Sequence, residues 1–297
     1  MEYGNGTSGG SLKESLEKYN VALSASKTRK LEEYCRLLWD WNTRLNLTRH
    51  TDYDKFVSRD IADCLALSEC LRKEERVLDV GTGGGVPGVV LAVLRPDLQI
   101  ELCDSTGKKA TAVSEILQEL KMELPVHHSK AETVLAARGK GTRFTSLTIR
   151  AVSRLPQLLR MAAPYWTIID RLLLIKGPKW IEERGEARHY NLVNKLALRV
   201  LKTYPMPPDA NGETANSVVL QVCRKDEVET LDKVIDAHKI EEPDEEYQPR
   251  KTYRREGFRS DNKYGKKKPA GSTKFGENKI QRKLAKRPPR TRGGNME

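Results

Sequence analysis

A glycine-rich turn follows a short apolar segment at residues 77–88, VLDVGTGGGVPG. Glycine lets the backbone approach a ligand closely and adopt dihedral angles that a Cβ atom would forbid. At the first strand of an α/β sheet, such a turn usually receives a nucleotide-type ligand. Two patterns overlap here. Residues 83–88 fit the G-x-G-x-x-G of dinucleotide sites, which is weak evidence alone, and residues 79–85 fit the (D/E)-x-G-x-G-x-G of S-adenosylmethionine sites.

Two acidic residues favour the second pattern. Asp79, at the end of the first strand, suits the cationic ammonium and sulfonium of S-adenosylmethionine and would repel the pyrophosphate of a dinucleotide. Asp104 ends the next strand, where an acid bonds ribose hydroxyls in both cofactor classes. The alternatives are a turn-stabilising Asx motif for Asp79 and a helix N-cap for Asp104. We place Gly83 and Gly85 in van der Waals contact with the cofactor.

The elements that must position these residues alternate along the chain. Short β-prone segments at 76–80, 99–104, 125–129, 144–151, 171–177 and 217–223 are separated by helical stretches at 87–94, 107–121, 155–166 and 179–200. This alternation predicts an α/β fold with a doubly wound, mostly parallel sheet. Apolar residues recur at helical spacing in 27–47 and 55–71, which predicts an N-terminal helical layer.

Charge divides the chain into a neutral body and a basic tail. Residues 251–297 contain 16 Lys and Arg but 4 Asp and Glu, so they account for the whole net charge of +12. The tail has no sustained apolar period and is predicted to be disordered. Its basic blocks and interspersed aromatic residues are typical of an RNA-binding arm, and a passive solubilising appendage is the alternative.

These patterns predict a flexible segment at 1–26, a methyltransferase-type domain at 27–240 and the tail at 241–297. Within the domain we expect a helical layer at 27–72 and a cofactor-binding core at 73–225.

The five cysteines form no C-x-x-C pair, which predicts a reducing compartment without a disulfide framework. The five histidines lack partners at metal-ligand spacing, so we expect no bound metal. No apolar run approaches the ~20 residues that span a bilayer. We therefore expect a cytoplasmic monomer.

Several runs together resemble the ribosomal RNA small subunit methyltransferase G family, also called glucose-inhibited division protein B. They are VLDVGTGGGVPG with LCDSTGKK, the pair Ala131-Glu132, Ile149-Arg150-Ala151, LIKG at 174–177, and the upstream WNxxLNLT at 41–48. The resemblance implies a Rossmann-like class I enzyme that transfers a methyl group from S-adenosylmethionine to N-7 of a guanine in 16S ribosomal RNA, free or in the small ribosomal subunit. Carried over by position, the cofactor contacts are Gly81, Val86, Asp104, Ser105, Thr106, Ala131, Glu132 and Arg150.

The chain departs from the family pattern at three positions. The family usually has Arg-His-x-x-Asp-Ser where this chain has Arg59-Asp60-x-x-Asp63-Cys64, and it usually has Phe-Asp where this chain has Phe144-Thr145. These departures leave open a non-catalytic RNA-binding protein on a methyltransferase-like fold. An NAD(P)-dependent oxidoreductase is a second rival, although the sequence offers no convincing Tyr/Lys or His constellation for one.

Guanine N-7 carries a free lone pair and no proton, so its methylation requires in-line approach and no general base. We therefore assign no catalytic acid or base. Arg150 has two open roles, one as a substrate-positioning group at a base edge or phosphate, and one as a salt bridge inside the fold to Asp104 or Glu132. Lys176 could attract RNA, or could be an ordinary strand-end lysine.

Overall fold

The computed structural model describes residues 10–138, 142–208, 212 and 214–228. The strands are β1 (Arg76–Val80), β2 (Gln99–Asp104), β3 (Val126–His128), β4 (Phe144–Arg150), β5 (Ile169–Lys176), β6 (Leu196–Pro205) and β7 (Asn216–Arg224). The α-helices are α1 (Leu12–Lys18), α2 (Ala25–Asn42), α3 (Tyr53–Lys55), α4 (Ala62–Ser68), α5 (Gly88–Leu94), α6 (Gly107–Glu119), α7 (Ala131–Ala136), α8 (Leu155–Ala162) and α9 (Trp180–His189). A π-helix spans Phe56–Ile61, and 3₁₀ turns span Ala163–Tyr165 and Lys225–Glu227.

The strands form one sheet in the order β3-β2-β1-β4-β5-β7-β6. The first five strands in this order are parallel, and β7 runs antiparallel to both β5 and β6. The chain reverses its direction of travel through the sheet between β1 and β4, which makes their carboxyl ends the expected ligand crevice. The predicted doubly wound, mostly parallel sheet is confirmed.

Alternate residues of each strand feed two cores, one on each face of the sheet. Val77 of β1 packs in the core that contains the N-terminal helices with α5 and α6, whereas Leu78 packs in the core that contains α7, α8 and α9. The predicted N-terminal helical layer therefore covers one face of the sheet, and this layer also reaches the crevice.

The helical layer is less regular than predicted. The helix predicted over 27–47 is α2, which ends at Asn42. The chain turns there because the Asn42 Oδ1 atom accepts the backbone N–H groups of Leu47 (2.8 Å) and Thr48 (2.9 Å). In place of one helix over 55–71, the structure has α3, the π-helix and α4 in succession. The π-helix carries Asp60, which forms an ion pair with Arg150 at the end of β4.

The prediction of a flexible segment over 1–26 is wrong for residues 12–18. These form α1, which begins with a capping box in which the Ser11 hydroxyl accepts the Glu14 N–H and the Glu14 carboxylate accepts the Ser11 N–H. Leu12 and Leu16 are buried in the first core. Because α1 contributes to that core, it belongs to the folded domain.

The helix predicted over 179–200 is wrong beyond residue 189. The α9 helix ends at His189, and Asn191 takes a positive φ of 56°, a conformation that terminates helices. Residues 196–205 instead form β6, which pairs with β7 from Leu196 opposite Arg224 to Pro205 opposite Asn216. The antiparallel partner supplied by β7 outweighs the local helical preference.

The described ranges contain no helix long and apolar enough to cross a membrane. The basic tail predicted at 241–297 lies outside these ranges, as do residues 1–9.

A buried ion pair connects β5 to the start of β1. The Arg171 guanidinium is fully buried and donates to Glu75 (2.9 Å), the Ser146 hydroxyl (2.8 Å), the Gln221 amide oxygen (3.0 Å) and the Cys70 carbonyl (2.8 Å). Burial alone would raise the pKa of Glu75, but the guanidinium groups of Arg171 and Arg72 hold it below its ordinary value. This network fixes the end of the sheet opposite the crevice.

Replacing Glu75 by Ala should destabilise the fold by about 3–5 kcal/mol, because it leaves a buried guanidinium without its counter-charge. Urea unfolding measures this loss. The control is Arg143→Ala, which removes a half-exposed pair with Asp170 and should cost less than about 1 kcal/mol. Equal losses in the two variants would show that the Arg171 network does not depend on Glu75.

Candidate functional site

The sheet register brings the predicted site residues to one edge. Val80 of β1 lies opposite Cys103 of β2 and Ile149 of β4. The residues that come next in the chain, Gly81, Asp104 and Arg150, therefore lie side by side at the carboxyl ends of three adjacent strands. This arrangement is the one that the sequence analysis required.

The glycine turn leaves β1 in conformations that favour glycine. Gly81, Gly83 and Gly85 have φ angles of 69°, 59° and 108°. Among the residues that the structure describes, a Cβ atom on Gly83 would meet only the Gly81 carbonyl oxygen, at 3.9 Å, so this side of the turn is open to them. A Cβ atom on Gly81 would lie 2.6 Å from Val152, in the loop after β4. Gly83 is thus the point where a ligand can approach the backbone most closely.

Gly85 faces the protein rather than the open side. A Cβ atom there would lie 2.7 Å from the Val89 side chain and 3.1 Å from the Tyr34 hydroxyl. That hydroxyl donates to the Gly84 carbonyl at 2.9 Å, which ties α2 to the turn. We predicted that Gly85 contacts the cofactor, but the side of Gly85 that lacks a Cβ atom faces the helical layer. Glycine is needed here because Val89 and Tyr34 pack closely against the turn.

Asp79 is fully buried below the turn. One oxygen accepts the Thr148 hydroxyl (2.9 Å) and the other accepts the Gly88 N–H (3.1 Å), so the carboxylate braces both ends of the turn against β4. Burial raises the pKa of Asp79 to about 6, although these bonds oppose the shift. A direct contact with a cationic ligand would need an exposed oxygen, and the structure instead has the turn-stabilising arrangement named as the alternative.

Asp104 connects the turn to the loop after β2. Its two oxygens accept the Gly83 N–H (2.9 Å) and the Thr106 N–H (2.8 Å). A carboxylate has about four acceptor positions, so each oxygen can still accept a hydroxyl. Ser105 and Thr106 are exposed beside it. Thr106 is the N-cap residue of α6 by position, but its side chain makes no capping bond.

The remaining predicted contacts lie around this edge. Val86 is half-buried and packs against the first core. Ala131 is buried and Glu132 is half-buried at the start of α7, which follows β3. Burial, with a smaller contribution from the carboxylates of Asp79, Asp104 and Glu132, raises the pKa of the Cys103 thiol to about 12. Three carboxylates therefore lie near the end of β2.

Arg150 does not extend freely into the crevice. Its Nη1 atom lies 2.6 Å from Asp60, in the π-helix, and its Nε atom lies 2.7 Å from Asp63, in α4. Burial would lower its pKa, but the two carboxylates raise it above the ordinary value of arginine. Of the two roles left open, the structure has the internal salt bridge. The partners expected for it, Asp104 and Glu132, are wrong.

Two further members of this network, His50 and Tyr204, were not predicted from the sequence. The His50 Nδ1 atom lies 2.8 Å from the second oxygen of Asp60, and the Tyr204 hydroxyl donates to the second oxygen of Asp63 at 2.7 Å. His50 thus has a carboxylate partner that sequence spacing did not suggest. Asp60 and Asp63 lie three residues apart, and that spacing on one helical face was the available signal.

The loop after β4 is held in place from β5 and α9. The Lys176 ammonium donates to the Ser153 carbonyl and to Glu183, both at 2.8 Å, and Glu183 also accepts the Leu155 N–H at 2.8 Å. Lys176 is therefore engaged inside the protein. The effect of this pair is to hold Val152 over Gly81.

The three departures from the family pattern have structural explanations. Asp60 is the partner of Arg150, and the Cys64 thiol is buried and donates to the Pro87 carbonyl at 3.8 Å. Thr145 lies near the amino end of β4, where its hydroxyl donates to the Arg76 carbonyl at 2.8 Å. All three side chains form contacts away from the open side of the turn at Gly83. Among the described residues, no cluster of three or more His, Cys, Asp or Glu side chains could hold a metal ion.

Comparison with known proteins gives consistent matches. The family model for rRNA small subunit methyltransferase G matches residues 27–205. A Rhodopirellula baltica protein named ribosomal RNA small subunit methyltransferase G is 44% identical over 209 residues, which cover 69% of this chain and 89% of that protein. A protein of the same name from Desulfitobacterium hafniense is 33% identical over 187 residues, covering 62% and 74%.

Among solved structures, precorrin-6y C5,15-methyltransferase from Geobacter metallireducens matches with a TM-score of 0.43 and 12% identity, over 58% of this chain and 91% of that chain. The strand order, rather than this likeness, defines the fold. The family match extends from α2 to β6 and includes the glycine turn, Asp104 and Arg150. The chain belongs to the rRNA small subunit methyltransferase G family.

Proposed function

We propose that the protein transfers a methyl group from S-adenosylmethionine to N-7 of a guanine in the 16S RNA of the small ribosomal subunit. The observation that carries the proposal is the open glycine turn at Gly83, which lies at the switch point of the sheet and donates its N–H to the Asp104 carboxylate. Membership of a methyltransferase family supports the same methyl donor.

The residues of the edge fit this cofactor. Gly83 allows the methionyl part to approach the backbone beside Gly81, and Asp104 accepts the ribose hydroxyls with its remaining acceptor positions. Ser105, Thr106 and Val86 line the same side, and Ala131 with Glu132 borders the base. Three other predicted residues support the site without contacting the cofactor. Asp79 and Gly85 hold the glycine turn in place, and Arg150 holds the end of β4 against the helical layer.

The charge distribution also fits. The carboxylates around Cys103 give the edge a negative potential, which attracts the sulfonium and ammonium groups of S-adenosylmethionine and opposes the pyrophosphate of a dinucleotide. An NAD(P)-dependent oxidoreductase is therefore disfavoured at this site. The negative potential acts on the cofactor, so attraction of the RNA must come from elsewhere in the chain.

The chemistry requires positioning rather than proton transfer. When bound, S-adenosylmethionine supplies an electrophilic methyl group, which the N-7 lone pair of guanine takes while the carbon–sulfur electrons return to sulfur. The protein removes no proton, which agrees with the engagement of Arg150 and Lys176 in internal ion pairs. Its contribution is to hold the turn, the strand ends and the loop that carries Val152 in fixed relation.

The non-catalytic alternative rested on the departures at Asp60, Cys64 and Thr145. Asp60 and Cys64 hold the helical layer to the sheet and the turn, and Thr145 bonds between strands away from the crevice. These roles are compatible with catalysis, which removes the reason for that alternative. A monomeric state and a cytoplasmic location stay predictions.

Gly83→Val provides the test of this function. The variant should lose binding of S-adenosylmethionine in calorimetric titration and methylation of small subunits that lack the modification, because the side chain fills the open side of the turn. The control is Gly212→Val, which has a similarly positive φ of 79° and where a Cβ atom meets nothing within 4 Å among the described residues, so it carries the same backbone strain without filling the turn. The methylated nucleoside is identified by mass spectrometry. A wild type that binds S-adenosylmethionine but methylates no ribosomal RNA would contradict the proposal.

Asp79→Asn should change the pH dependence of stability. The pKa of Asp79 is about 6 in the folded protein and 3.8 ordinarily, so the folded state binds the extra proton and this group's contribution to stability falls as pH rises from 3.8 to 6. Asn can accept the Gly88 N–H and donate to Thr148 without ionising. Relative to wild type, the variant should gain roughly 2 kcal/mol between about pH 4.5 and 7.5. A stability difference that stays constant over this range in urea unfolding would refute the assignment.

Deleting the residues after Arg250 tests the basic tail. The rest of the chain has 37 basic and 37 acidic residues, so long-range attraction for RNA is assigned to the tail. The truncated protein should show a higher KM for small subunits and a flatter salt dependence of RNA binding between about 50 and 200 mM salt, with kcat and S-adenosylmethionine affinity nearly unchanged. Identical salt slopes for the two proteins would identify the tail as a passive appendage.

A further inference from the structure

The network around Arg150 ends in a histidine with one ring nitrogen unused. The chain of contacts runs from Tyr204 through Asp63, Arg150 and Asp60 to His50, with each distance between 2.6 and 2.8 Å. Both aspartates are buried, whereas a quarter of the His50 side chain is exposed. Nδ1 is bonded to Asp60, and no hydrogen bond joins Nε2 to any residue of the described ranges.

The bond to Asp60 determines the chemistry of the free nitrogen. Asp60 accepts from the Arg150 guanidinium at 2.6 Å, so its carboxylate serves as the acceptor in this network. Nδ1 of His50 then donates to Asp60, and in the tautomer with its proton on Nδ1 the Nε2 atom is an acceptor. A partner for Nε2 must then bring an N–H or O–H donor. A phosphate group, which offers acceptors, does not fit.

His50 also lies beside the crevice. Asp60 connects it directly to Arg150, which ends β4 next to the start of the glycine turn. Three residues before His50, the Leu47 side chain lies against the turn, since a Cβ atom on Gly84 would be 3.3 Å from Leu47 Cβ. The backbone of His50 is fixed by two bonds, from its N–H to the Thr48 hydroxyl and from the Trp39 indole to its carbonyl. The backbone of His50 is thus held close to the helical layer beside the turn, and its ring is connected to the end of β4 through Asp60.

We propose that His50 recognises the target base by accepting a hydrogen bond at Nε2 from the N1–H or the 2-amino group of guanine. This inference rests on the proposed function. N-7 lies on the opposite edge of the purine, so a guanine held by His50 can present N-7 to the methyl donor. Adenine also has an N-7 lone pair, but it has no donor at N-1 or C-2, and its one amino group, at C-6, lies beside N-7. An adenine bonded through that group would not have N-7 on the edge opposite His50. His50 therefore selects guanine over adenine.

The test compares two substitutions at this position. His50→Phe keeps a planar ring but has no acceptor, whereas His50→Gln restores an acceptor through its Oε1 atom and a donor for Asp60. Methylation rates are measured at saturating S-adenosylmethionine against increasing concentrations of small subunits that lack the modification. His189→Gln is the matched control, because His189 lies at the end of α9 with its ring against Tyr190.

His50→Phe should lower kcat/KM for the subunits about tenfold, the effect of one lost hydrogen bond. His50→Gln should recover most of this loss, and both variants should keep wild-type affinity for S-adenosylmethionine. Wild-type kcat/KM in His50→Phe would overturn the inference. So would a loss as large in the Gln variant, or a loss that follows cofactor affinity. A wild type without methylation activity would instead overturn the proposed function, and the inference with it.

Discussion

The paired guanidinium of Arg150, whose side chain is only 19% exposed, is the constraint on which the site depends. Burying this cation costs several kcal/mol, and two carboxylates with short, well-directed bonds must offset that cost. The two carboxylates come from the π-helix and α4, so the ion pair fixes the helical layer against the carboxyl end of β4. Tyr204 of β6 bonds to Asp63, and His50 bonds to Asp60. One cation thereby aligns four separate parts of the chain at the crevice.

The glycine turn has a side that packs against the protein and a side that is open. On the packed side, the Gly84 carbonyl accepts a hydrogen bond from the Tyr34 hydroxyl, and the absence of a Cβ atom on Gly85 leaves room for Val89. The Asp79 carboxylate accepts the Gly88 N–H at the end of the turn. On the open side, only Gly83 has space above it. The glycines of one motif therefore serve two purposes: some permit close packing of helices, and one permits approach of a ligand. A pattern of glycines alone cannot separate these purposes, because both require the absence of a Cβ atom.

How much the sequence predicts depends on whether the deciding interaction is local. The bounds of β1 and β2 were predicted residue for residue, since apolar runs ending in a turn are local signals. The capping box at Ser11 and Glu14 and the helix-terminating Asn191 were also local signals, and they were overlooked. In contrast, the strand at 196–205 depends on pairing with β7, and the partners of Arg150 lie nearly ninety residues earlier in the chain. Nothing in the spacing of residues reveals such contacts.

The distribution of charge gives the site and the tail different tasks. Three basic groups near the crevice are engaged internally: Arg150 with two aspartates, Lys176 with Glu183, and Arg154 with Glu186. The carboxylates around Cys103 leave a negative potential that suits a cationic cofactor and repels a polyanion. A single surface cannot attract both ligands by charge. The net charge of +12 carried by 251–297 resolves this conflict, because a basic segment separate in sequence can attract RNA while the crevice stays suited to its cofactor.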